Sequence, residues 1–462
     1  MTILDFRFSI FDFVLAPHAG LGVTCHLSRV IGPWLLALGL ACALPAGLCQ
    51  AEERFPPPEF TSSGYQIPQP TTPPPRAHFY ETLDSLMLAL ALGLATYFVF
   101  RRRSRRGVFW LMLFSVAYFG FWRKGCVCPI GAIQNVAEAA LGPGLVLPVV
   151  VAVFFFLPLV AALFFGRTYC AAVCPHGALQ DAVLARPVTV APWLSEALGL
   201  LAYFYLGLAV LFAVTGSAYI ICEYDPFIAL FRRCGSANIL FISAFFVLLA
   251  VFIGRPYCRF LCPYGAILRI LSQFSRWRVK IYPDRCIECH LCDGSCPYGA
   301  IHKTSVVQEA APGVAGKGRV LASAALLPLL VVLGGWFGDR LAGPLSHMDS
   351  TVRLADRIRL EESGQADEQT DPSKAFRRTG QAPEELYADA AAVYSRFKVG
   401  SWWFGAWAGL VVGLKLLTLA WPRRYTEYEA DRSLCFACAR CFAYCPGEKG
   451  LLDPSIRSKI AP

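Results

Sequence analysis

Eight cysteines repeat one spacing, Cys-x2-Cys-x2-Cys-x3-Cys-Pro, at two places far apart in the chain. The first copy is Cys286, Cys289, Cys292 and Cys296, followed by Pro297; the second is Cys435, Cys438, Cys441 and Cys445, followed by Pro446. Runs of this spacing ligate [4Fe–4S] clusters, and where two clusters share one fold the fourth cysteine of each run ligates the other cluster. Zinc sites more often draw on two separated Cys-x2-Cys pairs. The fold is therefore tightly constrained. If the copies exchange fourth cysteines, the chain between them must depart and come back, and that chain is apolar enough to enter a membrane.

The 56% hydrophobic content, 16% charged content and mean hydropathy of +0.49 exclude an ordinary soluble domain. Apolar runs at 83–100, 107–122, 143–166, 193–214, 237–254, 319–337 and 402–420 each approach the ~20 residues that a bilayer helix needs. The run at 107–122 is the shortest. The net charge of +10 sits largely at span ends, the pattern of positive-inside loops rather than of nucleic-acid binding. Arg101–Arg103 with Arg105 and Arg106 mark a cytoplasmic loop after the first span. Alternate counting from there exports the N-terminal side. It leaves both cysteine motifs, the Arg167–Pro187 loop, the basic Arg276–Lys280 stretch and the C-terminus in the cytoplasm. The expected fold is an α-helical polytopic membrane protein of about seven transmembrane helices plus a split cytoplasmic two-cluster [4Fe–4S] ferredoxin domain.

The domain plan follows. Residues 1–51 are an N-terminal region in which the apolar run 30–48, ending at Cys49-Gln50-Ala51, reads as a signal peptide, with an uncleaved anchor as the alternative. Residues 52–82 are a Pro-rich exported linker, and 83–254 a five-helix membrane domain. The first ferredoxin half spans 255–318. A transmembrane hairpin, 319–420, carries an exported helical loop at 338–400, and the second ferredoxin half spans 421–462.

A second pattern is an internal repeat. Gly166-Arg167-Thr168-Tyr169-Cys170-x3-Cys174-Pro175-His176-Gly177-Ala178 matches Gly254-Arg255-Pro256-Tyr257-Cys258-x3-Cys262-Pro263-Tyr264-Gly265-Ala266. The proline after each second cysteine disfavours helix there, so loops at the membrane surface are expected. Cys170, Cys174, Cys258 and Cys262 are candidates for a further metal cluster or for redox dithiols; a structural turn used twice is the competing reading. Cys126, Cys128, Cys222 and Cys234 fall on the exported side by the same counting. They are open to a cofactor, to copper through soft sulfur, or to disulfides. None of the seven histidines lies within a span, which argues against bis-histidine haem in the bilayer. His176 reads as a surface hydrogen-bonder, with a ligand role as the alternative, and Lys415, inside the last span, as a residue snorkelling to the cytoplasmic face, with a functional role as the alternative.

The two Gly-Arg-x-Tyr-Cys-x3-Cys-Pro-x-Gly-Ala segments, the Cys126–Val136 segment and the split ferredoxin resemble the NosR/NapH group of polyferredoxin membrane proteins, over residues 80–450. The Cys222–Phe227 segment and the 349–400 stretch resemble NosR more than NapH. The resemblance implies [4Fe–4S] ligation by the eight motif cysteines. It also implies a multi-pass protein of the bacterial inner membrane that passes electrons to support exported nitrous oxide reductase in denitrification, often described as a regulator of its expression. The expected partners are the bilayer, an exported reductase or its maturation factors, and a cytoplasmic or quinone-linked donor; no nucleic acid is expected. NosR proteins also carry an exported FMN domain, for which the short stretch before residue 83 leaves no room, so no FMN is expected here. The chain reads as an electron-transfer component rather than a self-contained catalyst. Its rivals are a copper-reducing assembly factor, like the CcoG relatives that share Cys-x3-Cys-Pro, and a redox sensor acting through a cytoplasmic partner.

Overall fold

The computed structural model of the protein describes residues 78–125, 128–142, 146–282, 286–302, 314–365, 369–421 and 427–446. The expected signal segment, most of the Pro-rich linker and Cys126 lie outside the described residues. Helix occupies all seven expected spans, and the molecule is an α-helical membrane protein. Among the described residues, four helices are long and apolar enough to cross a bilayer: His78–Arg101, Pro192–Thr215, Gly318–Ser346 and Pro383–Ala420. A fifth is reached if Pro226–Arg232 and Ala237–Phe252 are one span broken by a 103° bend.

The other expected spans fall short for local reasons. Val149–Phe165 is strongly apolar but only 17 residues long, bounded by Pro148 and by Gly166 at φ 65°. The second expected span begins with Arg105 and Arg106 and ends in a π-helical stretch, Val116–Trp122. The 103° bend follows Arg233, a left-handed residue at φ 54° that stops the helix before Cys234. A non-glycine residue there is uncommon and marks a turn held by its surroundings.

The chain's return is made by two long helices, Val314–Ser346 and Pro383–Ala420. Their contact is built on glycine. A β-carbon at Gly405 would overlap the Gly334 carbonyl oxygen, one at Gly338 the Ser401 oxygen, and one at Gly409 the Leu330 oxygen. Small residues of this kind let membrane helices bring their backbones together, where dispersion rather than water expulsion drives association. Between the two arms, Ser350–Glu362 and Asp371–Thr379 fold over a small core of Val352, Ala355, Ile358, Phe376, Leu386 and Ala390. Asp349 starts the first of these helices by accepting from Thr351 N at 2.8 Å.

The hairpin delivers the second cysteine motif to the first. A two-stranded antiparallel sheet pairs β1, Ile301–His302, with β2, Glu429–Ala430. Around it, Asp431 N donates to Ala300 O at 2.7 Å, His302 Nε2 lies 3.2 Å from Asp431 Oδ2, and the Tyr428 hydroxyl lies 2.8 Å from His290 Nδ1.

The glycine contact yields a paired prediction. Gly405→Ala lowers the thermal unfolding midpoint in detergent, on the scale of about 1–3 kcal/mol for overpacking. Gly343→Ala, where no atom stands within 4 Å of the new methyl, does not. Equal behaviour of the two variants would sink the close-contact account.

Candidate iron–sulfur sites and buried thiols

The two cysteine loops share one backbone course. In the first, Glu288 and His290 flank Cys289 at φ 53° and 60°; in the second, Ala437 and Ala439 flank Cys438 at φ 52° and 60°. Left-handed residues between right-handed ones turn successive N–H groups to the same side, forming the anion-binding concavity common at iron–sulfur sites. Each loop then enters a short helix, Leu291–Gly294 or Arg440–Tyr444.

The side chains follow suit. One cavity is lined by Cys286, Cys289 and Cys292 together with Cys441 and Cys445 of the other motif. Cys296 turns the other way: burial and then the Cys438 sulfur push its thiol up. Burial pushes the Cys435 thiol up to about 12, with Cys438 and Cys296 adding to it. Among the described residues, no three His, Cys, Asp or Glu side chains are placed to hold a single metal ion. A four-iron cube is a larger body than one ion and holds its thiolates further apart. The all-thiol donor sets and the inward-turned N–H groups fit such a cube.

The internal repeat lies directly beneath the second loop. Cys170 sits in a helical turn, Tyr169–Val173, and Cys174 caps Pro175–Val183; Cys258 sits in Pro256–Phe260, and Cys262 caps Pro263–Ser272. The prolines break the helix at Cys174 and Cys262, where the backbone is extended, as the sequence predicts. The expectation of surface loops is corrected: all four cysteines are buried, unbridged thiols. The glycine of each motif is needed for close approach. A β-carbon at Gly177 would stand 3.1 Å from Cys170 O and 3.6 Å from Cys258 Sγ, and one at Gly265 would stand 3.0 Å from Cys258 O.

Each repeat also sends its arginine to the other. Arg255 donates to the carbonyls of Cys170 and Ala171, and Arg167 lies against Gly265. Both guanidiniums lie over the ring of Phe436, at 3.9 Å for Arg167 and 5.2 Å for Arg255. Phe436 follows the first cysteine of the second motif directly and is 1% exposed. Beside this clamp, buried Asp181 receives Arg105 at 2.8 Å, Arg255 at 3.2 Å, Arg440 at 3.0 Å and the Tyr298 hydroxyl at 3.0 Å. Burial would raise the Asp181 pKa, but Arg105, Arg440 and Arg255 hold it well below the carboxylate range.

His176 is corrected too. It is fully buried, 3.3 Å from Asp225 Oδ2, with Phe227 and Phe231 edge-on to its ring. Burial would lower its pKa, yet Asp225 and Cys174 raise it to about 10. Asp225 also accepts from the Tyr257 hydroxyl at 3.2 Å. Cys128, counted as exported, belongs with this group: burial, then Cys174 and Asp225, push its thiol up. Cys222 Sγ would stand 3.2 Å from a β-carbon at Gly131. Cys128 and Cys174, which simple counting separates, thus meet around His176 and Asp225. Cys234 is half-buried just after the bend. Lys415 forms an ion pair with Glu196.

Sequence reading missed a detectable signal here. Cys128-Pro129-x-Gly131-Ala132 and Cys296-Pro297-x-Gly299-Ala300 repeat the Cys-Pro-x-Gly-Ala core of the two longer repeats, and a self-comparison on that core finds them. The pairing of Arg105 with Asp181 has no such signal, because Arg105 is masked by its basic neighbours.

A family model described as a 4Fe-4S binding domain matches residues 147–200 and 237–282, the two repeats, and a second of the same description matches 279–302, the first cysteine loop. An uncharacterized protein of Methanocaldococcus jannaschii is 30% identical over 39% of this chain and 76% of its own length. The methylamine utilization ferredoxin-type protein MauN of Methylobacillus flagellatus is 29% identical over 37% of this chain and 60% of its own. The regulatory protein NosR of Stutzerimonas stutzeri is 26% identical over 44% of this chain and 30% of its own. The chain belongs to the NosR/NapH-type polyferredoxin membrane proteins. The family descriptions and the membrane-spanning helices support iron–sulfur electron transfer in a membrane. The chain spans under a third of that NosR relative's length. No solved structure matches.

In this polyferredoxin, Asp181 is the countercharge for three arginines. Asp181→Asn leaves them buried and underpaired, a loss of about 3–5 kcal/mol by analogy with broken buried pairs. Limited proteolysis should then cut the second loop faster than in the wild type; unchanged cutting would contradict the docking role. The Asp181 pKa is depressed in the fold. Its stabilisation is therefore complete above the unfolded value of about 3.9 and is lost as pH falls through the lower folded value. The acid-side drop in unfolding midpoint should shrink in Asp181→Asn.

Proposed function

We propose that the chain passes electrons between the cytoplasmic and exported sides of a bacterial inner membrane through two [4Fe–4S] sites, with the buried cysteines of its repeats next in line as a dithiol–disulfide couple or as ligands of a further centre. Cys286, Cys289 and Cys292 with Cys445 form the first site; Cys435, Cys438 and Cys441 with Cys296 form the second. When bound, the clusters supply one-electron transfer. The observation that carries this reading is the shared cavity, in which three cysteines of one motif meet the fourth of the other. The residues around it keep the two loops in register through the β1–β2 pairing and seat the second loop on the repeats through Phe436 and Asp181.

From there, Cys170, Cys258, Cys174 and Cys128 continue inward to His176 and Asp225. His176 and Asp225 hold a proton beside these sulfurs, which compensates charge locally when a disulfide among them takes up two electrons and two protons to give the thiols. A hydrocarbon layer of ~30 Å is too thick to leave without such an intermediate. By resemblance to NosR, the exported partner is the nitrous oxide reductase system.

Iron and sulfide quantitation on the purified protein, with EPR of the reduced state, tests the reading. It predicts eight irons per chain on the two-cluster count. Cys445→Ser removes one EPR signal and Cys296→Ser the other. Fewer than eight irons, or zinc in their place, would overturn it. Iron beyond eight that is lost with Cys174→Ser would add a centre at the repeats.

A further inference from the structure

We propose that Arg105, Arg167, Arg255 and Arg440 hold the second iron–sulfur site at a higher reduction potential than the first, and so direct electrons inward, from the first loop toward the membrane repeats. The inference rests on the two-site reading above. The four arginines surround one loop. Arg105 donates to Cys438 O at 3.1 Å, and Arg167 to Ser433 O at 3.2 Å. Arg440 lies within the loop, between Cys438 and Cys441. Arg255 reaches it across the Phe436 ring. The Arg105, Arg255 and Arg440 side chains are at most 17% exposed, and Arg167 is 1% exposed. Among the described residues, Asp181 is shared by three of the arginines, and Asp431, in the same loop, lies beside His302. Positive charge is left in excess.

Among the described residues, the first loop has no such excess. Lys280 and Glu288 both line its cavity, Asp293 follows Cys292, and Arg103 lies over Tyr282 and Phe442 at the cavity wall. The signs offset one another there, and Cys289 is exposed.

Reduction adds one negative charge to a site. A nearby fixed cation stabilises the reduced form more than the oxidised one, and net charge is among the protein's levers on cluster potential. Buried charges are screened far less than exposed ones. Water at the more open first site also favours its reduced form. Only removal of an arginine isolates the contribution argued here.

Phe436 of the second loop packs between the arginines of both repeats, and among the described residues the first motif reaches the repeats only past Cys296, through Pro297 and Tyr298, on the side of the second site. An electron entering at the exposed first loop therefore settles beside Phe436, facing the buried thiols. The charges give the relay a direction that cysteine spacing alone does not.

A potentiometric EPR titration of the purified full-length protein in detergent tests this. Two reduction steps are expected, and Cys435→Ser should abolish the one at higher potential. Arg167→Gln should move that step to lower potential and leave the other in place, and Arg167→Lys, which keeps the charge, should restore it. The inference is overturned, with the two-site reading intact, if eight irons are present but the higher step is the one lost in Cys286→Ser. It is equally overturned if Arg167→Gln moves neither step, or moves both alike. Fewer than eight irons in the wild type overturns the two-site reading, and this inference with it.

Discussion

One buried carboxylate ties together four stretches that are remote in sequence. Asp181, on the helix of the first repeat, holds Arg105 from the start of the Arg105–Ser115 helix and Arg255 from the second repeat. It also holds Arg440 and Tyr298 from the two cysteine loops. Burying several charges is costly, and an apolar cluster of the same volume would often be as stable or better. The ionic form carries geometric information that an apolar cluster lacks. The fork of each guanidinium fixes its direction, and three forks on one carboxylate fix three chain segments against each other. The Arg255 backbone is itself left-handed, φ 52°, and its side-chain bonds to Cys170, Ala171 and Asp181 hold that unusual conformation.

The glycine contact of the long hairpin works on the same problem from a distance. A ferredoxin split by a membrane excursion needs its return arm at a defined place. Gly334, Gly338, Gly405 and Gly409 supply this by backbone contact rather than by side-chain fit. With the arm placed, two residue pairs of β1 and β2 suffice to set the register of the halves. Phe436 can then enter its slot between Arg167 and Arg255.

The helices and the cysteine motifs were legible in the sequence because both are local signals. An apolar run or a Cys-x2-Cys spacing is read within one window, and helix stands at each expected span. Length was less legible. The helix at Val149–Phe165 is cut short by Pro148 and Gly166, which a hydropathy average does not weigh. Burial of the repeat cysteines was also missed. The proline break at Cys174 and Cys262 is a local fact, but the packing of one repeat's arginine on the other is not. Counting spans placed Cys128 and Cys174 on opposite sides. The bent pair around Arg233 and the Cys222–Phe227 segment bring Asp225 to His176, which no alternation of spans anticipates. His176 illustrates the general point: its partners are supplied by a segment about fifty residues on, and only the fold brings them together.

The central claim is that two distant loops build one pair of neighbouring iron–sulfur sites by exchanging their fourth cysteines. EPR of the fully reduced protein measures this directly, because two reduced clusters in one small domain are close enough for their spins to interact. The account predicts a broadened, interacting spectrum that simplifies to that of a single isolated cluster when either site is removed. A fully reduced spectrum equal to the plain sum of two independent clusters would contradict it.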